Sequence, residues 1–199
     1  MDPRAVTKAQ TRLRNAKRAF NQMRAAQNLE DYMDHWVSFL SSWKGILIAI
    51  GLGSRDNSSA RTWYGEKKRE RKDNPLLQYL FQARNDEEHG LDSSVEMSLG
   101  SFLVEIPDSG KEGRQISFSY DPQTGEAQAS RPDGGPLKLL RSKGAGPHLK
   151  TVTARDGEVF GAPLSHAGVN IDGNPITAAE LGIKYVEELI AEAQERSKP

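Results

Sequence analysis

Leu29, Met33, Trp36, Leu40, Trp43, Leu47 and Ile50 recur at alternating steps of three and four residues over six turns. That rhythm puts seven large apolar side chains on one stripe of a helix, and a stripe of that kind must be covered. Asn28 is placed to cap the helix, Glu30 and Asp31 suit its first turn, and Gly51 and Gly53 mark its end. Two tryptophans on one stripe point to core or interface rather than to a cofactor site. The most apolar stretch, Val37 to Leu52, is interrupted by Lys44 and by serines. It reads as too short to span a bilayer, so no membrane association is expected.

The surroundings are helical as well. Val6, Ala9, Leu13, Ala16, Phe20 and Met23 form a thinner seam within a basic helix over 1–26, with Arg4, Lys8, Arg12, Arg14, Lys17, Arg18 and Arg24 on the remaining surface. Burying such a seam yields little, so this helix is expected to lean on a neighbour or a second subunit, or to project as an arm. A charged helix is expected from about Ser59 to Lys72. Asn74-Pro75 opens another, because Asn suits the cap and Pro the first helical position, and Gly90 stops it. Leu76, Leu77, Leu80, Phe81 and Arg84 share its inner face.

After Gly90 the period changes from helical to two. Val95, Met97 and Leu99 alternate with polar residues, as do Phe102, Val104 and Ile106, with a phase slip at Gly100-Ser101 that suggests a bulge. Ile116, Phe118 and Tyr120 alternate ahead of the turn residues Asp121 to Gly125, and Leu137 to Leu140 is a further strand candidate. Asp156-Gly157 between Thr151–Ala154 and Glu158–Phe160 is a two-residue hairpin signal. Ser142 to Pro147 reads as a loop that matches no phosphate-binding fingerprint. A closing helix carries Leu181, Tyr185, Val186, Leu189, Ile190 and Ala193 on one face, with Thr177 and Glu180 as a capping box. The expected fold is α+β: an N-terminal helical bundle, then an antiparallel β-sheet with a C-terminal helix packed on it. The expected division is 1–91 and 92–199.

Composition narrows function. The chain has no cysteine, which removes disulfides, thiolate metal sites and a cysteine nucleophile. MDPRAVTKAQ lacks the apolar stretch of a secretory signal, so a cytoplasmic location is expected. The zero net charge conceals a split. Residues 1–90 hold 16 Lys/Arg against 11 Asp/Glu, and the remainder 11 against 16. The positive half is the place for a polyanion, and the acidic half for a protein partner.

The chemistry concentrates in Arg84-Asn85-Asp86-Glu87-Glu88-His89. Arg84 and His89 differ by about 7.5 Å in rise and roughly 140° in direction, while Asn85 and His89 stack one turn apart. Cutting RNA without metal requires a base for the ribose 2′-hydroxyl, an acid for the leaving oxygen and positive charge at the phosphorane. Histidine titrates near neutrality, and arginine stays charged and offers a planar fork to phosphate. One helix supplies one histidine, and a symmetric dimer would supply the second.

The run resembles the R-N-x-x-x-H form of the HEPN motif, found in RNase toxins and RNA-targeting CRISPR effectors. The resemblance spans about residues 28–91 and includes the helical setting. It implies a metal-independent endoribonuclease of toxin or defence type, active as a homodimer on RNA and needing no cofactor, with Arg84 and His89 catalytic and Asn85 assisting. HEPN toxins paired with a nucleotidyltransferase antitoxin carry a tyrosine two residues after the histidine. Leu91 stands there in this chain, so regulation by modification at that position is not implied.

Arg61, Lys67, Lys68 and Arg71, upstream of the motif, are candidates to track an RNA backbone, with Trp63 and Tyr64 as stacking surfaces. Plainer readings stay open. Interleaved Glu66, Glu70 and Asp73 make the same run a solvated, ion-paired helix. Arg84 and Glu88 are spaced to pair, and His89 beside Gly90 suits a helix C-terminus. A non-catalytic HEPN-like module that dimerises through the tryptophan stripe, or binds nucleic acid without cutting it, fits the same residues. Asp86 with His89, and Asp31 with His35, have metal-ligand spacing but no third ligand, so no metal site is assigned. His148 and His166 read as loop histidines.

Overall fold

A computed structural model of the chain describes residues 1–90, 93–98, 101–105, 117–120, 127–130, 138–143 and 145–197. Among these residues there are five helices: α1 (Pro3–Ala25), α2 (Leu29–Gly53), α3 (Ser58–Asp73), α4 (Pro75–His89) and α5 (Pro175–Glu195). Each opens on an Asp or Asn whose side chain accepts an otherwise orphaned backbone N–H. Asp2 accepts from Arg4, Asn28 from Asp31, Asn57 from Ala60, Asn74 from Leu77 and Asn174 from Ile176. Proline follows the cap in α1, α4 and α5. The capping box expected at Thr177 and Glu180 is not the start of α5. The helix begins earlier, and the Thr177 N–H itself donates to the Asn174 side chain.

Val6 and Met23 of the α1 seam are buried, Leu13 and Phe20 only partly, and small residues lie between them. Ala9, Ala16 and Ala19 are buried and let α1 lie close along α2. The two run antiparallel, with the Asp2 N–H donating to the Gly53 carbonyl at 3.0 Å. A Cβ on Gly45 would sit 3.3 Å from Arg12 Cδ. The α2 stripe is core: Trp36 and Trp43 are fully buried, so they do not form a dimer interface. Their indole N–H groups donate to Ser94 Oγ at 2.9 Å and to the Gly182 carbonyl at 2.8 Å. At 25 residues, α2 is long and apolar enough to cross a membrane, which the shorter stretch read from the sequence did not suggest. Of its most apolar stretch 56% is buried inside the fold, as suits a core helix.

The closing helix differs most from expectation. It packs on α1, α2 and α4 rather than on a sheet, and a Cβ on Gly182 would lie 2.6 Å from Leu80 Cδ1. The boundary expected at residue 91 is replaced accordingly. One compact unit holds Met1–Glu96 and His148–Pro199, and a second holds Met97–Pro147. Part of the charge split is resolved within the first unit, where Lys17 pairs with Glu187 and Lys67 with Glu192.

The strands form two-stranded ladders rather than one sheet. β1 (Val95–Ser98) pairs with β6 (Gly146–Leu149), β2 (Ser101–Glu105) with β5 (Lys138–Lys143), and β3 (Ser117–Tyr120) with β4 (Ala127–Ser130). The three pairs are therefore nested in sequence. The β2–β5 register shifts between Leu103 and Val104. Much of Ser142 to Pro147, expected as a loop, is strand. A hairpin forms at Asp156-Gly157, joining β7 (Val152–Thr153) to β8 (Val159–Phe160), but its loop is longer than the two residues expected: the Ala154 N–H donates to the Glu158 carbonyl, which leaves Arg155, Asp156 and Gly157 between them, with Gly157 at φ 87°. β9 (Ser165–His166) pairs with β10 (Val169–Asn170). Leu91, Leu99, Gly100, Ile106, Ile116, the turn Asp121 to Gly125, and Leu137 lie outside the described residues.

Candidate functional site

The N-terminal part of α4 is locked into the core by Leu76, Leu77, Tyr79, Leu80 and Ala83. The Tyr79 hydroxyl donates to the Lys150 carbonyl at 2.6 Å, and burial raises its pKa well above the usual phenol value. That anchoring aims the last turn and a half. Arg84 and Asn85 are half-buried, while His89 is exposed at the helix end, where the Gly90 N–H caps the Asp86 carbonyl.

Arg84 and His89 converge on one group, the Glu88 carboxylate. Arg84 Nη1 is buried, makes no hydrogen bond and forms an ion pair with Glu88. His89 Nε2 lies 3.6 Å from the same carboxylate oxygen. The imidazole keeps 41% of its surface, so it is reachable. Partial desolvation, and then the charges of Arg155, Arg84 and Lys44, hold its pKa below the ordinary histidine value. His89 is therefore neutral at pH 7 and in the form that accepts a proton.

Asn85 is fixed from both ends. Its carbonyl oxygen accepts from the Lys44 ammonium, and its amide donates to Gln82 Oε1 at 2.8 Å. Lys44 comes from α2, where it is the one charge within the apolar stretch. Sequence reasoning passed over it as an interruption, although a lone lysine among core residues was the available signal. Burial first, then Arg84 and Arg71, lower the Lys44 pKa. Arg155, on the Asp156-Gly157 hairpin, is a second residue that chain position did not reveal.

The four cations expected to track RNA do not form one strip. Arg61 and Lys68 are exposed, with an Arg61 guanidinium nitrogen reaching the Arg55 carbonyl at 3.4 Å. Lys67 lies 2.7 Å from Glu192 and 3.4 Å from Glu70, so its charge is met within the fold. Arg71 turns inward and is 7% exposed, with its guanidinium 3.9 Å from the Phe81 ring centre and Nη1 donating to Gln78 at 3.1 Å. Trp63 and Tyr64 are not open stacking surfaces. Trp63 is buried and donates to Glu192, and the Tyr64 hydroxyl donates to the Leu47 carbonyl.

Of the remaining histidines, His148 is buried and His166 Nδ1 lies 3.3 Å from Asn74 Nδ2. Among the described residues no group of three or more His, Asp or Glu side chains is placed to hold a metal ion. Comparison of the chain with protein-family models, curated proteins and solved structures finds no match. The chemistry of this cluster is thus argued from its own residues.

Proposed function

We propose that the protein is a cytoplasmic, metal-independent endoribonuclease of HEPN type, acting as a homodimer in defence or as a toxin. The observation that supports this most is the meeting of a buried guanidinium and a reachable, neutral imidazole on one carboxylate. On this reading the Glu88 carboxylate, paired with Arg84 and close to His89, stands where a phosphate oxygen binds. In the reaction, His89 Nε2 takes the proton of a ribose 2′-hydroxyl, and the 2′-oxygen attacks phosphorus. The bond from phosphorus to the 5′-oxygen breaks, leaving a 2′,3′-cyclic phosphate. Arg84 stabilises the charge on the equatorial oxygens, and Asn85 keeps the groups aligned. The leaving oxygen takes its proton from water, and the hydroxide so formed takes back the proton that His89 accepted, which restores the neutral imidazole.

Purified protein is expected to cut RNA in excess EDTA. His89→Ala and Arg84→Ala are each expected to abolish cutting while leaving the helical circular dichroism signal and the melting temperature in place. Cutting that survives both substitutions overturns the assignment. A second reading has its own observation: Arg84 is already neutralised by Glu88. On that reading the module binds RNA or a protein partner through its acidic half without cutting. It is favoured by a salt-dependent mobility shift with intact RNA.

A further inference from the structure

Lys44 of α2 and Arg71 of α3 meet at the Phe81 side chain, and Lys44 also bonds Asn85 and feels the charge of Arg84 of α4. The Lys44 ammonium lies 4.9 Å from the Phe81 ring centre, and the Arg71 guanidinium lies 3.9 Å from the same centre. Such contacts favour cations, yet they leave formal charge uncancelled. The polar partner of Lys44 is the Asn85 carbonyl and that of Arg71 is Gln78, both neutral. Among the described residues neither cation pairs with a carboxylate, and Arg84 alone has Glu88. Three cations with one acid, on three helices, repel one another out of bulk water, and burial makes this worse. Lys44 and Arg71 both have their pKa values lowered by that burial. The contacts with Phe81, Asn85 and Gln78 offset part of that cost but leave the net positive charge in place. A bound anion relieves it.

We propose that the junction of α2, α3 and α4 is a phosphate seat, in which Lys44, Arg71 and Arg84 receive one phosphodiester of RNA and Glu88 is the in-built occupant that the phosphate displaces. This rests on the ribonuclease reading for the identity of the ligand, but not for the presence of the seat. Arg71, held against Phe81, fixes the inner wall. Lys44 is the specificity residue, because it alone reaches across from α2 to tie the seat to Asn85 of the motif.

The test uses the full chain at constant ionic strength, with inorganic phosphate as the probe and a 2′-O-methyl oligonucleotide as an uncuttable competitor. Phosphate is expected to raise the melting temperature saturably where chloride does not. Lys44→Met and Arg84→Gln should each weaken phosphate binding tenfold or more, and Glu88→Gln should tighten it several-fold. Lys44→Met should leave the melting temperature without ligand unchanged or higher, since it removes a repelled charge. A merely structural lysine would instead lower it. Competition by the oligonucleotide supports an RNA phosphodiester as the ligand, and its failure beside tight phosphate binding overturns that part in favour of free phosphate. No saturable stabilisation, or stabilisation indifferent to both Lys44→Met and Arg84→Gln, overturns the seat. Phosphate binding with no RNA cleavage removes the nuclease and keeps the seat, whereas cleavage unchanged in Lys44→Met removes the seat and keeps the nuclease.

Discussion

The protein carries two concentrations of positive charge, and they are built in opposite ways. On the outer surfaces of α1 and α3 the cations are either solvated, as Arg61 and Lys68 are, or met by carboxylates, as Lys17 is by Glu187 and Lys67 by Glu192. At the inner junction Lys44 is half-buried and Arg71 buried, and both have neutral partners. The outer charges outnumber the inner ones, yet each is compensated at little cost. The inner charges are costlier to hold, and charges perturbed in that way are candidates for function. Counting Lys and Arg along the chain selects the outer surface and passes over the inner junction.

The contrast can be broken most readily at the rate. Arg84→Ala is expected to lower RNA cleavage by at least about 10²-fold, in the range found for positioned catalytic groups. The double substitution of Arg61 and Lys68 by Ala should lower it by less than about tenfold, as loss of non-specific phosphate attraction does. An equal loss in both would erase the distinction. A finer probe is the salt dependence of RNA binding. Removing one phosphate contact flattens the log–log slope by about 0.7 for single strands, so Lys44→Met should show that change. Lys67→Ala should not, because its charge is already held by Glu192.

The pH profile sharpens the picture further. The folded His89 pKa is depressed, so the imidazole stays neutral as pH falls past the ordinary value of about 6.5 and protonates only below it. The acid limb of the cleavage rate is therefore centred below that value. Arg155→Ala removes one of the charges responsible and should move the limb upward, towards the ordinary value, without changing the plateau. A limb that stays in place would separate His89 from the proton transfer. The smallest expected effect is on stability. Lys67→Ala should cost no more than about 1 kcal/mol in urea unfolding, as befits a partly exposed ion pair.

Local features were legible from residues because local rules govern them. The α2 stripe, the Asn74-Pro75 start of α4 and the place of the Asp156-Gly157 turn depend on spacing and on single-residue conformational preference, and each stands where expected, with the turn's loop one residue longer. The partner of α5 was not legible, since an amphipathic face states that it must be covered without naming the cover. Here the cover is α1, α2 and α4, and Gly182 permits the approach. The nested order of β1 to β6, which makes the helical unit discontinuous, depends on long-range pairing that alternation does not encode. The motif residues Arg84, Asn85 and His89 were visible as a pattern. The pairing of Arg84 with Glu88 was legible as well, from their spacing on one helix, whereas the arrival of Lys44 at Asn85 from 41 residues upstream required the packing of α2 against α4.

The most direct measurement compares one RNA oligonucleotide with its fully 2′-O-methylated counterpart, both end-labelled and incubated with the protein in excess EDTA. Attack by a 2′-oxygen deprotonated by His89 predicts cutting of the unmodified strand to products ending in 2′,3′-cyclic phosphate, and an intact methylated strand. Cutting of both strands, or of neither at any pH between 5 and 9, contradicts it.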